Sequence, residues 1–532
     1  MLLIKSQHVK TFKFMFKCTF TAIPILLFSS LVFAQDVLAL DSSRHAQQLF
    51  QLHCAECHGQ HRLGAIGPAL LPTNLKRLRK PVAVKTIQNG RPGTPMPAFK
   101  EKLTQAEIEL LAEFIYRPLA KIPAWGLPQI KASHVILNRV KSHLPEPVFK
   151  VKDALNLFMV VEQADHHISI IDGDTFEPRH RFKTRFSLYG GVKFSPGGRY
   201  AYYASRDGWI SKYDIYSLKP VAEIRAGINT RNLTISGDGR YLLVANYLPH
   251  SMVLLDTRDL APIKYYAVKT IEGKSSRVSA VYTSAVRNSF FAALKDIPEL
   301  WEISYADEPP HGFGMWMHDY RTDSGENTRP VPFPVKRYKV SEFLDNFYID
   351  QEGISIFGMN KKMKGQVLDT DVSKVISGDI DLPGFPHFGA ALKQVYKGND
   401  VLVVPNMRKG IVTVLDADSW KVLKNIKTLG PGFFMRTHNN SPYIWIDVFF
   451  GANKDAMHVI DKSSLEIVKT LRPAKGKKSA HVEFSRDGQY ALVSVWDKEG
   501  SLVIYNTKTL QEVKRIPMKN PAGKYNIYNR LH

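Results

Sequence analysis

Cysteine is nearly missing from this chain, with three in 532 residues, at positions 18, 54 and 57. Acidic residues are outnumbered by basic ones, 49 against 72, leaving a formal charge of +23. Such a balance favours acidic partners or a carboxylate-rich ligand. Zinc-finger spacing and RNA-binding signatures are absent, which excludes nucleic acid as the reason for the charge. The basic residues are scattered rather than blocked, so a solvated surface is the simplest account of most of them. Beyond the N-terminus no stretch approaches the roughly twenty apolar residues of a membrane span. What is present is ordinary: 44% hydrophobic and 23% charged residues, enough for a well-buried core. The length suits about three domains, unless one large all-β domain absorbs most of it.

Two of the three cysteines stand in "HCAECHGQ" (53–60), where Cys54, Cys57 and His58 form C-x-x-C-H, the pattern of covalent heme attachment. A zinc or redox-dithiol site is the alternative for C-x-x-C, and the adjacent histidine argues against it. The helix expected through "RHAQQLFQLH", with Ser43 as its cap, delivers both thiols to the porphyrin, and His58 follows at once as an iron ligand. "RPGTPMPAF" (91–99) offers Met96 as the second axial ligand. "LTQAEIELLAEFIYRPL" then reads as a closing helix. Thr104 and Glu107 form its capping box, Ile108, Leu111 and Ile115 one apolar face, and Pro118 its stop. Residues 43–118 resemble a class I cytochrome c, a small all-α domain.

The extreme N-terminus sets the expected compartment. Lys5, Lys10, Lys13 and Lys17 precede "CTFTAIPILLFSSLVFA", and no acid occurs before Asp36. Val32-Phe33-Ala34 fits a small-residue cleavage site, so residues 1–34 read as a secretory signal peptide; an uncleaved anchor is the alternative. Cleavage would remove Cys18 and leave both remaining cysteines to the heme. No membrane span would remain, and the expected location is the periplasm.

From residue 151 the texture changes to short apolar strands separated by Gly/Asp turns. "FSPGGRYAYYASRDGWISKYDIYSLKPVAEI" (194–224) recurs in altered form at 235–266, 398–426, 439–471 and 484–516, with a degenerate copy at 154–182. Period-two strands at this spacing indicate a β-propeller of roughly seven or eight blades; a β-sandwich array is the alternative. Residues 311–340 break the pattern, as an insertion over one face or a linker within a blade. Residues 119–150 are proline-rich and read as the connection between the domains.

A cytochrome c domain followed by such a propeller, with "SRDGWISKYD" (205–214), "RTHNNSPYIWID" (436–447), "SVWD" (494–497) and "GKYNIYN" (523–529), resembles the cytochrome cd1 nitrite reductases and their relatives in heme d1 biosynthesis. The resemblance implies that residues 151–532 form an all-β, eight-bladed propeller holding heme d1 or a precursor, which exchanges electrons with heme c. The tetrapyrrole carries several carboxylates. Arg206, in a tight turn, Arg231, in "NTRNLTIS", and Arg277, opening a strand, can each pair a carboxylate bidentately, and by resemblance Arg206 and Arg231 fall at carboxylate-binding positions.

Two reactions within that family are separated by particular residues. The nitrite reductases use two distal histidines. Here "GFPHFG" keeps His387, whereas "EFLDNF" places Asp345 where the other is expected. An ionised carboxylate there would repel nitrite. The chain is more similar to the dihydro-heme d1 dehydrogenases, which convert a propionate of the precursor to an acrylate. That chemistry needs a base beside the propionate, a redox-active iron and an exit for electrons. Tyr525 and His481 match that group's residues beside the reacting propionate, and His387 its distal iron ligand on a mobile loop. A phenol is a poor base unaided, so Tyr525 needs a neighbouring cation or imidazole, for which His481 is the candidate. The proximal position, a histidine in the family, reads Tyr189 in "FSLYGGVKF". Tyrosinate can ligate heme iron but favours the ferric state. His166 or His167 could substitute, although both are expected in a solvent-facing hairpin turn. The expected partners are the tetrapyrrole substrate, a periplasmic electron acceptor and a nitrite reductase that receives heme d1. A cd1 nitrite reductase and a non-catalytic heme d1 carrier are the other readings.

Overall fold

The computed structural model describes residues 42–531, apart from 66, 76–77, 91–95, 120–123, 140–143, 186–187, 310–312, 314–330, 345, 361 and the side chains of 189 and 190. The expected signal peptide, Cys18 and Asp345 lie outside the described residues.

The N-terminal domain packs short helices around the heme-attachment motif. The first is helical already at residue 42 and runs to 53, so Ser43 lies inside it rather than capping it. The chain continues through Ala55–His58, Pro72–Leu75 and Lys80–Asn89 to Gln105–Tyr116. The last helix has the expected capping box: Thr104 Oγ1 accepts from Glu107 N at 3.3 Å, and Glu107 Oε2 accepts from Thr104 N at 2.8 Å. Its Ile108, Leu111, Ala112 and Ile115 are buried against Phe50, Leu75 and Ile87. Arg62 closes the other end, donating to the carbonyls of Phe114 (2.6 Å) and Arg117 (3.1 Å), where a cation also suits the helix dipole.

Residues 154–527 build eight antiparallel sheets around four-stranded meanders, in chain order in every blade but the first, which makes an eight-bladed propeller. In blade 2, strands Leu188–Phe194, Tyr200–Ser205, Trp209–Asp214 and Lys219–Arg225 run outward from the axis. The second strands lie between neighbouring blades and read as continuous apolar runs; Ser289–Leu294 is buried at every position. The outermost strands alternate, as in Lys374–Asp381.

The aspartate that ends many third strands has a defined task. Asp172 accepts from Asp174 N (2.9 Å), Asp256 from Arg258 N (2.7 Å) and Asp461 from Ser463 N (3.0 Å), closing a turn with the side chain. Four residues on, Phe176 (φ 56°), Leu260 (φ 68°) and Leu465 (φ 53°) take left-handed backbone, unfavourable for such residues. Each is buried between sheets, and that burial offsets the strain.

The ring closes by mixing the chain ends. Strand Pro521–Asn526 is the inner strand of blade 1, paired with Leu157–Glu162, whose outer neighbours are His167–Asp172 and Pro178–Lys183. Blade 4 is interrupted: its third strand ends at Ser304, and its fourth, Val335–Lys339, lies within the region read from sequence as having no strand pattern. The segment 119–150, read as a connection, contributes a helix, Leu127–Ala132, and a strand, Val135–Ile136, which adds a fifth strand to blade 2. Leu63, Ala69 and Leu71 of the small domain share a buried cluster with Ile228 and Leu248 of the propeller, and Arg225 Nη2 donates to the Leu63 carbonyl at 2.5 Å.

Candidate functional site

In the small domain Cys54 and Cys57 are unpaired thiols flanking one helical turn. His58 is buried, and its Nδ1 lies 2.8 Å from the Pro68 carbonyl. Only a protonated Nδ1 can donate to that oxygen, so Nε2 is left as the ligating nitrogen. Burial also lowers the pKa of His58, keeping the imidazole neutral. Gly67 makes room for the ring: a Cβ there would sit 2.9 Å from His58 Cε1. Met96 packs against the same helical core; residues 91–95 of its loop lie outside the described residues. These groups fit a covalent heme.

On the propeller axis lies a cavity of about 560 Å³. Each blade supplies to its wall a residue from its inner strand or from the turn before it: Tyr525, Lys193, Arg231, Tyr282, Asn346, His387, Arg436 and His481, for blades 1 to 8 in order. Lys193, Arg231, Arg436 and Arg530 bring positive charge to the wall, and the described lining contains no carboxylate. Phe433, Phe434, Phe450 and Trp496 supply an aromatic side, with the Phe433 and Phe434 rings 4.7 Å apart and edge to face. A large planar ligand carrying several carboxylates matches both features.

His481 and Tyr525 meet with ring centroids 5.3 Å apart, edge to face. The Arg530 guanidinium stands over the Tyr525 ring at 5.0 Å, and its Nη2 pairs with Glu483 Oε2 at 2.5 Å. Burial pushes His481 well below its ordinary pKa, and Lys524, Arg530 and Arg436 push in the same direction. Both effects favour the neutral imidazole, and its buried Nδ1 has no hydrogen-bond partner among the described residues. Lys193 is lowered to about 8 by burial and by Arg530 and Arg436, and Arg436 to about 10 by burial and Arg530.

His387 is held by a hydrogen bond and by a stacked ring. Its Nδ1 lies 3.0 Å from the Phe433 carbonyl, and its ring stacks on Phe433 at 4.3 Å. Asn346 Oδ1 accepts from Phe388 N at 2.8 Å. The same tautomer argument as for His58 leaves Nε2 as the ligating atom.

The three arginines read from sequence are distributed differently. Arg231 lines the cavity and stands over the Tyr247 ring at 4.7 Å. Arg277 faces the same ring at 5.3 Å, but its guanidinium is engaged by Asp296 (Nη2–Oδ1 2.5 Å, Nε–Oδ2 2.7 Å). Arg206 is exposed on its turn and is not among the lining residues. Tyr189 pairs with Ala204 at the start of its strand, and its side chain lies outside what is described. His166 is not solvent-facing as expected: it is 8% exposed, at φ 62°, because the hairpin folds its ring inward. His167 is half-buried, with Nδ1 2.8 Å from the Asp165 carbonyl, and neither histidine lines the cavity. Sequence reasoning missed Lys193, Arg436, Lys524 and Arg530. The available signal was a charged residue inside an apolar strand, as in "YGGVKF".

A c-type heme domain joined to a propeller whose axial cavity is aromatic and cationic defines a class of two-domain tetrapyrrole proteins. The Cytochrome D1 heme domain profile matches residues 152–530, and the chain belongs to that family. Residues 41–115 match Cytochrome C oxidase, cbb3-type, subunit III. The dihydro-heme d1 dehydrogenase of Pseudomonas aeruginosa is 45% identical over 495 residues, covering 93% of this chain and 96% of that one. The nitrite reductase of Stutzerimonas stutzeri is 23% identical over 557 residues, covering 93% and 94%. A solved structure of dihydro-heme d1 dehydrogenase NirN in complex with DHE, 44% identical, superposes with a TM-score of 0.84 over 92% of this chain and 100% of that one.

Proposed function

We propose that the chain is an oxidoreductase of heme d1 biosynthesis, dehydrogenating a propionate side chain of dihydro-heme d1 to an acrylate. The observation that carries this reading is the contact of a neutral, buried imidazole, His481, with the phenol of Tyr525 inside a cationic, aromatic cavity. Conversion of –CH2–CH2–COO⁻ to –CH=CH–COO⁻ releases two protons and two electrons. Tyr525 relays the protons: its hydroxyl passes its own proton to the Nδ1 of His481 as it accepts one from the propionate, and His481 releases the first to solvent before the second follows. Arg231, with Lys193, Arg436 and Arg530 on the same wall, holds carboxylates of the macrocycle, whereas Arg277 is engaged by Asp296 and Arg206 stands off the lining; His387 Nε2 ligates the substrate's iron. Tyr189 is the candidate proximal ligand. Cys54, Cys57, His58 and Met96 hold heme c, which when bound supplies the one-electron acceptor for the substrate's electrons. A periplasmic acceptor then removes them, and a nitrite reductase is the destination of the finished heme d1. The domains run over 43–118 and 151–532, joined by 119–150, after a signal peptide of 1–34. Among the described residues no helix is long and apolar enough to cross a membrane.

The test is anaerobic incubation of the holoprotein with dihydro-heme d1, followed by mass analysis. The expected result is a product lighter by two hydrogens, with reduction of heme c. A stable complex of unchanged mass supports a carrier instead, and nitric oxide formed from nitrite supports a nitrite reductase.

A further inference from the structure

His481 has a backbone that its own sequence does not explain. It lies within strand Lys478–Phe484 at φ 56°, where pairing with Tyr490–Trp496 slips between Ala480 and Val482. In a regular strand successive side chains point to opposite faces, yet His481 and Val482 both line the cavity. The bulge is what turns His481 inward. Strained backbone of this kind persists only where its surroundings enforce it.

Those surroundings are two buried polar side chains from different blades, a carboxyl and an amine. Asp447, 1% exposed, ends the second strand of blade 7, and its Oδ2 accepts from His481 N at 3.3 Å. Lys524, fully buried on the inner strand of blade 1, donates from Nζ to the His481 carbonyl and to Ser494 Oγ at 2.9 Å. The other oxygen of Asp447 accepts from Phe433 N (2.8 Å) and Phe434 N (3.1 Å), and the Phe433 carbonyl receives His387 Nδ1. Neither side chain lines the cavity, so neither can touch the ligand directly.

We infer that Asp447 and Lys524 are positioning residues, a buried carboxyl and a buried amine that grip the His481 peptide by its N–H and its C=O and so hold the imidazole against Tyr525. Through Phe433 the same carboxyl sets the ring that ligates iron. A buried polar group left unsatisfied is costly, and each of these two is held by hydrogen bonds to the His481 peptide. The pair therefore suits a test by double substitution. The inference rests on the proposed dehydrogenation.

The experiment compares wild-type holoprotein with Asp447→Asn/Lys524→Met for dihydro-heme d1 affinity and single-turnover rate. The expected outcome is an affinity within about threefold of wild type and a rate reduced about tenfold or more, the split that misplacement of a catalytic group produces. A wild-type rate in the double variant, or equal loss of affinity and rate, overturns the inference. If the double variant does not fold, Ser494→Ala loosens Lys524 by one hydrogen bond, and an unchanged rate there overturns it instead. A wild type that binds substrate without converting it overturns the dehydrogenation itself, which is a distinguishable result.

Discussion

The phenol of Tyr525 sits where two glycines leave room for it. A Cβ at Gly523 would lie 2.6 Å from Tyr525 Oη, and one at Gly191, which is at φ 79°, would lie 3.3 Å from Cε1. Tyr525→Phe keeps the ring in this slot and removes only the proton-transferring oxygen. Desaturation is expected to vanish while tetrapyrrole binding persists; mass analysis beside a spectroscopic titration checks both. Replacing Met96 should shift the heme c reduction potential in a redox titration without emptying the propeller, because the proposed role of the thioether is as an axial ligand of that heme alone. Arg277 supports a pH prediction. Burial raises the pKa of its partner Asp296, but hydrogen bonds from the Arg277 side chain and backbone outweigh that and bring it to about 2. A lowered carboxylate stabilises the fold above its unfolded pKa, and that contribution is lost as pH falls from about 4 toward 2. Asp296→Asn should remove roughly 2 kcal/mol of stability at neutral pH and flatten that acid limb in denaturant titrations.

At the scale of elements, the turn aspartates were legible because their work is local. An apolar alternation ending in Asp, followed by a polar turn, describes the third strand and Asx turn of blades 1, 2, 3, 5, 6 and 7 without reference to anything distant. Blades 4 and 5 escaped notice for physical reasons. The third strand of blade 4 ends in Ser304 and is separated from its fourth strand by residues 305–334, and the inner strand of blade 5, Phe347–Ile349, is only three residues long. Asp172 is the turn residue with the most at stake. It is 1% exposed, accepts from Asp174 N, and pairs with Arg179 Nη2 at 2.6 Å. Asp172→Ala should cost about 2–4 kcal/mol, leaving a turn unclosed and a cation unpaired. A lowered urea midpoint with an unchanged m-value is the expected readout.

At the scale of the molecule, the C-terminal strand is both the clasp and part of the site. Pro521–Asn526 hydrogen-bonds to Leu157–Glu162, closing the ring, and carries Lys524 and Tyr525. Deleting residues 521–532 would expose a strand edge that is buried along its whole length in the closed ring. The expected consequence is loss of the cooperative melting transition of the propeller, with the small domain keeping its own helical core. Calorimetry with heme c absorbance as a second probe separates the two. The small domain is also tied to the propeller, through Leu63, Ala69 and Leu71 packed on Ile228 and Leu248. A heme held there is thus attached to the ring by more than the connecting chain.

The sequence alone determined what depends on neighbours along the chain: the C-x-x-C-H motif, the capping box at Thr104, and most of the repeating strands and turns. It also pointed to Tyr525, His481 and His387, as residues quoted from a family resemblance. Only the tertiary structure decided which charges converge on the axis, that Arg277 is held by Asp296, and that His481 is turned inward by a bulge. Those outcomes depend on groups tens to hundreds of residues apart, and a local pattern carries no record of which distant strand will close the ring.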